Sequence, residues 1–122
     1  MATVCLVVDA SALVRTIARG ILEALDMMVL EAADDAAALA LCREVRPDVI
    51  MIDAHVPRGG SLDLIRALRT LPHGDRAKVF FCSTELDPSV MRRAIDAGAN
   101  GFLAKPFVAE AVSATFLRMQ AI

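Results

Sequence analysis

The chain has 122 residues, 57% of them hydrophobic and 23% charged, the size and composition of a packed globular domain and not of a disordered tail. A net charge of −2 and a pI near 5.6, with no basic cluster larger than Arg92-Arg93, exclude the electrostatic footprint of a nucleic-acid or anionic-membrane binder. No apolar run approaches the roughly 18 residues of a membrane span, and no basic segment precedes an apolar one at the N-terminus, so the expected setting is cytoplasmic.

Cys5, Cys42 and Cys82 are odd in number and sit inside apolar stretches, which fits small buried residues in a reducing compartment better than disulfides or a metal cluster. No linker, repeat or low-complexity tract divides the sequence, and residues 1–122 are expected to form one domain.

Short apolar or β-branched runs at Thr3–Val8, Met27–Ala32, Asp48–Ile52, Lys78–Cys82 and Gly101–Ala104 predict five strands, each followed by a segment of helical period. In the first such segment Leu13, Ile17, Ile21 and Leu25 fall four apart and predict an inward stripe. Ahead of the second strand's apolar residues, Met27 and Met28 both read as core filling. The second helix is expected to open on Asp34 as N-cap, to bury Ala38, Leu39, Leu41 and Cys42, and to stop at Pro47. A third covers about Ser61–Leu71 on Leu62, Ile65 and Leu68, with Ser61 as its cap. The fourth starts on Asp87 with Pro88 at its first position, carries Val90, Met91, Ala94 and Ile95, and ends at Gly98. The last follows Pro106 and buries Val108, Val112, Phe116 and Met119.

Five strands alternating with five helices, the strands apolar on both faces, predict an α/β fold, a doubly wound parallel sheet with helices on each side. Right-handed crossovers then put every strand's C-terminal end on one edge, where such sheets bind ligands. Asp9 and Asp53 end the first and third strands, Ser83 and Thr84 follow the fourth, and Lys105 follows the fifth. An acid pair attracts a hard divalent ion such as Mg²⁺, a lysine and a hydroxyl suit phosphoryl oxygens, and an aspartate can itself become an acyl phosphate. The constellation points to phosphoryl transfer onto a carboxylate. Singly, each residue has a plainer role: Asp9 as a cap of the first helix, Ser83 as a strand-end hydroxyl, Lys105 as a surface lysine. Their coincidence at one edge is what favours a site. His55 reads as a solvated loop residue, with an imidazole-assisted transition-metal site as the alternative, and His73 as an exposed turn residue.

In "LVVDAS", "PDVIMIDAHVP", Ser83 and "AGANGFLAKPF", spaced 30 residues from Asp53 to Ser83 and 22 from Ser83 to Lys105, the chain resembles the receiver domains of two-component response regulators over essentially its whole length. The resemblance implies a five-stranded flavodoxin-like sheet in the order 2-1-3-4-5. It implies that Asp53 is the phosphoacceptor for a histidine kinase or phosphotransfer protein, and that Asp9, Asp53 and the backbone carbonyl of His55 hold Mg²⁺. It also implies that Ser83 and Lys105 contact the phosphoryl group, that Phe102 is the aromatic switch following Ser83, and that Lys105-Pro106 is cis. The signal would leave by protein contacts on the fourth helix, fifth strand and fifth helix; such a protein phosphorylates and dephosphorylates itself but has no separate substrate.

Departures from that pattern carry expectations of their own. Ala10 replaces the family's second acid and predicts weakened Mg²⁺ binding. "HVPRGGS" has Val56 for a methionine and Ser61 for a glycine, with Gly59 and Gly60 free to supply the turn. Thr84 narrows access to the pocket, and Phe102 lacks the phenol of the common tyrosine. A pseudo-receiver acting as an interaction module without phosphorylation is the alternative. A flavin-binding domain of similar winding is disfavoured, since "DASALVR" lacks a hydroxyl- and glycine-rich phosphate cradle.

Overall fold

The computed structural model describes residues 2–122. In chain order it holds β1 (Val4–Val8), α1 (Ala12–Glu23), β2 (Met28–Ala32), α2 (Asp35–Val45), β3 (Val49–Asp53), α3 (Ser61–Arg69), β4 (Lys78–Ser83), α4 (Pro88–Ala97), β5 (Gly101–Ala104) and α5 (Ala109–Arg118). All strand pairs are parallel, and the order is β2-β1-β3-β4-β5, the doubly wound topology expected. Strand bounds differ from the expected ones by a residue at several ends: β2 starts at Met28, and β3 and β4 run on to include Asp53 and Ser83.

Because strand side chains alternate between faces, each central strand feeds two cores. Leu6, Val8, Ile50, Ile52, Val79 and Phe81 point to the layer of α2, α3 and α4, where they meet Ala38, Cys42, Leu64, Ile65, Leu68, Ala94 and Ala97. Cys5, Val7, Val49, Met51, Phe80 and Cys82 point to α1 and α5 and meet Ala18, Leu22, Val112 and Phe116. Phe80 and Phe116 stack with ring centroids 4.9 Å apart. The three cysteines are free and buried, as their apolar surroundings predict.

Caps fall largely where the sequence puts them. Asp34 accepts from the Ala37 amide at 2.9 Å and Asp87 from the Val90 amide at 2.9 Å, with Pro88 in the first turn of α4 and Gly98 at φ 121° closing it. Arg46 takes φ 56° at the C-cap of α2, just before Pro47. The cap of α1 is Ser11, whose hydroxyl accepts from the Val14 amide at 3.2 Å, and not Asp9.

Five expectations are corrected. On α1, Leu13 and Ile17 are 69% and 47% exposed, while Ala18 and Leu22 are buried. A four-residue step advances about 40° around a helix, so a row of four residues, three such steps, drifts by about 120°, and only its Ile21 and Leu25 end reaches the core. Met28 is 59% exposed although Met27 is buried, because the strand starts there and turns its side chain outward. Ser61 is not the cap of α3, whose N-cap is Gly60 at φ 87°; it sits inside the first turn, buried, and its hydroxyl donates to the Ala54 carbonyl at 2.9 Å. On α4 the small Ala94 and Ala97 face inward and Ile95 is 54% exposed. Val108 precedes α5 as its N-cap and is 53% exposed, its place in the core taken by Val112 and Phe116.

Candidate functional site

The C-terminal ends of β1 and β3 lie side by side, since Val8 is in register with Ile52, and each strand delivers one aspartate to the edge. The apolar run before each acid is buried on both faces, so the first polar residue is forced to the point where the sheet ends. Asp9 is 4% exposed overall. Its Oδ1 accepts from the Ser11 amide at 2.9 Å, which fixes the β1–α1 turn, and its Oδ2 is left to face the site.

Lys105 arrives from the end of β5, beyond β4, with Lys105-Pro106 cis and the Lys105 amide bonded to the Ser83 carbonyl at 3.0 Å. Its Nζ donates to Asp9 Oδ2 and to Asp53 Oδ1, each at 2.8 Å. Three side chains from positions 9, 53 and 105 therefore form one acid–lysine–acid cluster. Burial works against the ammonium, but hydrogen bonds to Asp53 and Asp9 and their charges outweigh it and hold Lys105 above its ordinary 10.5. The second oxygen of Asp53 accepts from the His55 amide at 3.1 Å. The carbonyl of His55 takes no hydrogen bond among the described residues, and its imidazole is solvent-exposed.

Ser83 lies at the same edge but is not joined to the cluster. It is 6% exposed, and its hydroxyl is engaged with its own loop, accepting from the Glu85 amide at 3.0 Å with the Glu85 carbonyl 3.3 Å away. Phe102 is half-buried against the α2, α3 and α4 core, in register with Phe81 on β4. Thr84 is exposed, and so is Ala10, whose methyl adds no oxygen beside Asp9.

Two supporting residues escape a reading of the sequence. Arg15, one turn into α1, donates to the Asp9 carbonyl at 2.7 Å and pairs with Glu31 of β2 at 3.0 Å. Arg19 reaches the same Glu31 at 2.8 Å, and hydrogen bonds from Arg19 and, beyond a burial penalty, from Arg15 hold that carboxyl below its ordinary 4.5. The Ser61 hydroxyl does the like for β3, tying the first turn of α3 to the Ala54 carbonyl just after Asp53. An arginine six residues after an acid, facing a glutamate on the next strand, is a signal only once the strand pairing is known.

The donor set fits a hard cation. Asp9, Asp53 and the His55 carbonyl offer oxygens only, and Mg²⁺ is held in proteins by one or two carboxylates with water completing its shell. Ala10 reduces the fit by leaving two carboxylates and a carbonyl; among the described residues there is no metal-binding group of three or more His, Cys, Asp or Glu side chains.

A doubly wound α/β sheet that gathers two aspartates and one lysine at its C-terminal edge has the form of a receiver-type signalling domain. The profile of the response regulator receiver domain matches residues 5–116, and the chain belongs to that family. It is 34% identical over 114 residues to the chemotaxis protein CheY of Bacillus subtilis, covering 92% of each chain. It is also 40% identical over 103 residues to the sensor histidine kinase AruS of Pseudomonas aeruginosa, covering 83% of this chain but only 10% of that longer protein. Among solved structures, the chemotaxis response regulator CheY4 of Vibrio cholerae superposes with a TM-score of 0.92 at 28% identity, covering 98% of this chain and 99% of that one. The chain is thus a receiver domain of two-component signalling, a signalling domain. No helix among the described residues is long and apolar enough to cross a membrane.

Proposed function

We propose that Asp53 accepts a phosphoryl group from a histidine kinase or phosphotransfer protein and that the phosphorylated chain signals by binding a downstream protein. The observation that carries this is the Lys105 ammonium held 2.8 Å from Asp53 Oδ1 in a cluster that also contains Asp9. A carboxylate oxygen of Asp53 bonds to phosphorus as the phosphorus–nitrogen bond to the donor imidazole breaks. Lys105, already charged, then exchanges a carboxylate partner for a phosphoryl oxygen. Asp9, Asp53 and the His55 carbonyl would hold Mg²⁺, which supplies charge neutralisation for the phosphoryl oxygens when bound.

Ser83 must leave its bonds to Glu85 to reach a phosphoryl oxygen, and that exchange is the natural start of a conformational relay. Phe102 lies beside the same strand end and is half-buried, the state from which a ring can move either way. The surface of α4, β5 and α5 is the proposed output face; the exposed Ile95 and Leu117 support this by leaving apolar side chains in solvent there.

A second reading is favoured by Ala10: a receiver that has lost phosphorylation and acts as an interaction module alone. Incubation with acetyl phosphate and Mg²⁺, followed by intact-mass measurement beside an Asp53→Asn control, separates the two. Gain of one phosphoryl mass by the wild type and none by the control supports phosphoryl transfer. No gain at millimolar Mg²⁺ establishes the second reading.

A further inference from the structure

The N-terminal edge of the sheet, opposite the aspartate cluster, carries a groove of about 600 Å³ between the loop before β3 and the loop before β4. Small organic ligands occupy pockets of roughly 300–1,000 Å³. The floor is apolar, with Ile50 and Leu68 from the core at its base and Leu71 beside them.

The polar lining has one dominant sign. Arg46, Arg76 and Lys78 line the groove, and none of the three has an ion-pair partner among the described residues. The acid there, Asp48, accepts from the Val4 amide at 2.8 Å and is thereby tied to the start of β1. Three cations against one such acid stand out in a chain whose net charge is −2. Arg46 and His73, both on the groove wall, hold left-handed backbone at φ 56° and 64°, which non-glycine residues adopt at a cost.

We infer that this groove binds an organic anion with an apolar body, the body seated on Ile50, Leu68 and Leu71 and the anionic group against Arg46, Arg76 and Lys78. Charge alone attracts any anion; the apolar floor selects one with a body to bury. The groove opens at the other end of β3 from the phosphoacceptor: Ile50 on its floor lies three residues, about 10 Å at the usual rise, from Asp53, so its ligand does not touch the aspartate cluster.

The test titrates the full chain with anilinonaphthalene sulfonate, whose sulfonate avoids the phosphate chemistry of the Asp53 site, and maps the binding by backbone amide shifts. Expected are saturable one-to-one binding and shifts concentrated at residues 46–50 and 71–78. Uncharged phenylnaphthylamine and inorganic sulfate each bind at least about tenfold more weakly, the loss expected when one charge-assisted contact or the buried body is absent. The double variant Arg46→Glu, Arg76→Glu loses at least about tenfold, and Arg92→Glu on α4 loses nothing. Shifts centred elsewhere, no saturation, or equal binding of either comparison ligand overturns the proposal. The shift map on the wild type decides the matter even if the double variant fails to fold.

Discussion

Asp9 shows how one side chain serves both fold and site: Oδ1 closes the turn onto Ser11, and Oδ2 faces Lys105. The neighbouring Ala10 is exposed and carries no oxygen. Loss of a partner around a metal typically costs 10–100-fold in affinity. Ala10→Asp is therefore expected to tighten Mg²⁺ by about that factor in a calorimetric titration; an unchanged constant would mean that position 10 does not face the cation. Lys105→Met leaves two aspartates facing each other without a counter-ion. Its melting temperature in metal-free buffer is expected to fall below that of the wild type, and added Mg²⁺ to restore more of it than the ion gives the wild type. The convergence of Asp9, Asp53 and Lys105 was legible in the sequence, because an acid closing a buried strand has only the sheet's end to occupy. The engagement of Ser83 with the Glu85 backbone matches the plainer reading of a strand-end hydroxyl; the spacing allowed both that local bond and a place in the cluster and did not decide between them. Arg15 and Ser61 were missed for a related reason: both act on main-chain carbonyls, which carry no sequence signal.

Among the elements, strands and helix starts were the most legible, and helix faces the least. Alternation and caps are local, whereas the inward face of α1 depends on where the sheet lies, and a row of four apolar residues drifts away from it. The tie between α3 and the loops on either side of β4 and α4 was also invisible. Arg69 directs all five of its N–H donors inward: to the Gly98 carbonyl at 3.0 and 2.7 Å, to the Gly74 and Ala77 carbonyls at 2.7 Å, and to Asn100 Oδ1 at 2.7 Å. Asn100 Oδ1 in turn accepts from the Val79 amide at 2.8 Å. A Cβ on Gly98 would meet Arg69 Cγ at 2.9 Å, so the left-handed residue and the arginine fit only together. Net values for hydrogen bonds to a charged group run near 1.5–3 kcal/mol, and water replaces some of those lost, so Arg69→Met is expected to cost about 2–4 kcal/mol in urea unfolding. A loss under about 0.5 kcal/mol, the size of an ordinary surface change, would mean that these bonds merely replace hydration.

Over the whole molecule, the buried thiols set an alkaline limit. Burial pushes Cys42 up to about 11 and holds Cys5 and Cys82 well above the ordinary 9.0 as well. Each folded thiol keeps its proton where the unfolded chain releases it, so this stability is complete below pH 9 and is lost as pH rises through the folded values. Each contributes a slope of about 1.4 kcal/mol per pH unit in that window. Lys105, raised above 10.5, adds its loss only at still higher pH, and the chain has no tyrosine to obscure the result. Urea unfolding between pH 8 and 10.5 is expected to show stability falling from about pH 9, and a Cys42→Ala variant to show a shallower fall. Equal slopes would rule out thiol ionisation at position 42 as a contributor.

Lys105 lies 52 residues along the chain from Asp53 and 96 from Asp9. During synthesis both acids leave the ribosome long before Lys105, the cation that bridges them. The balanced charge of this rim therefore depends on the docking of the fifth strand, the element that carries Lys105 to both acids.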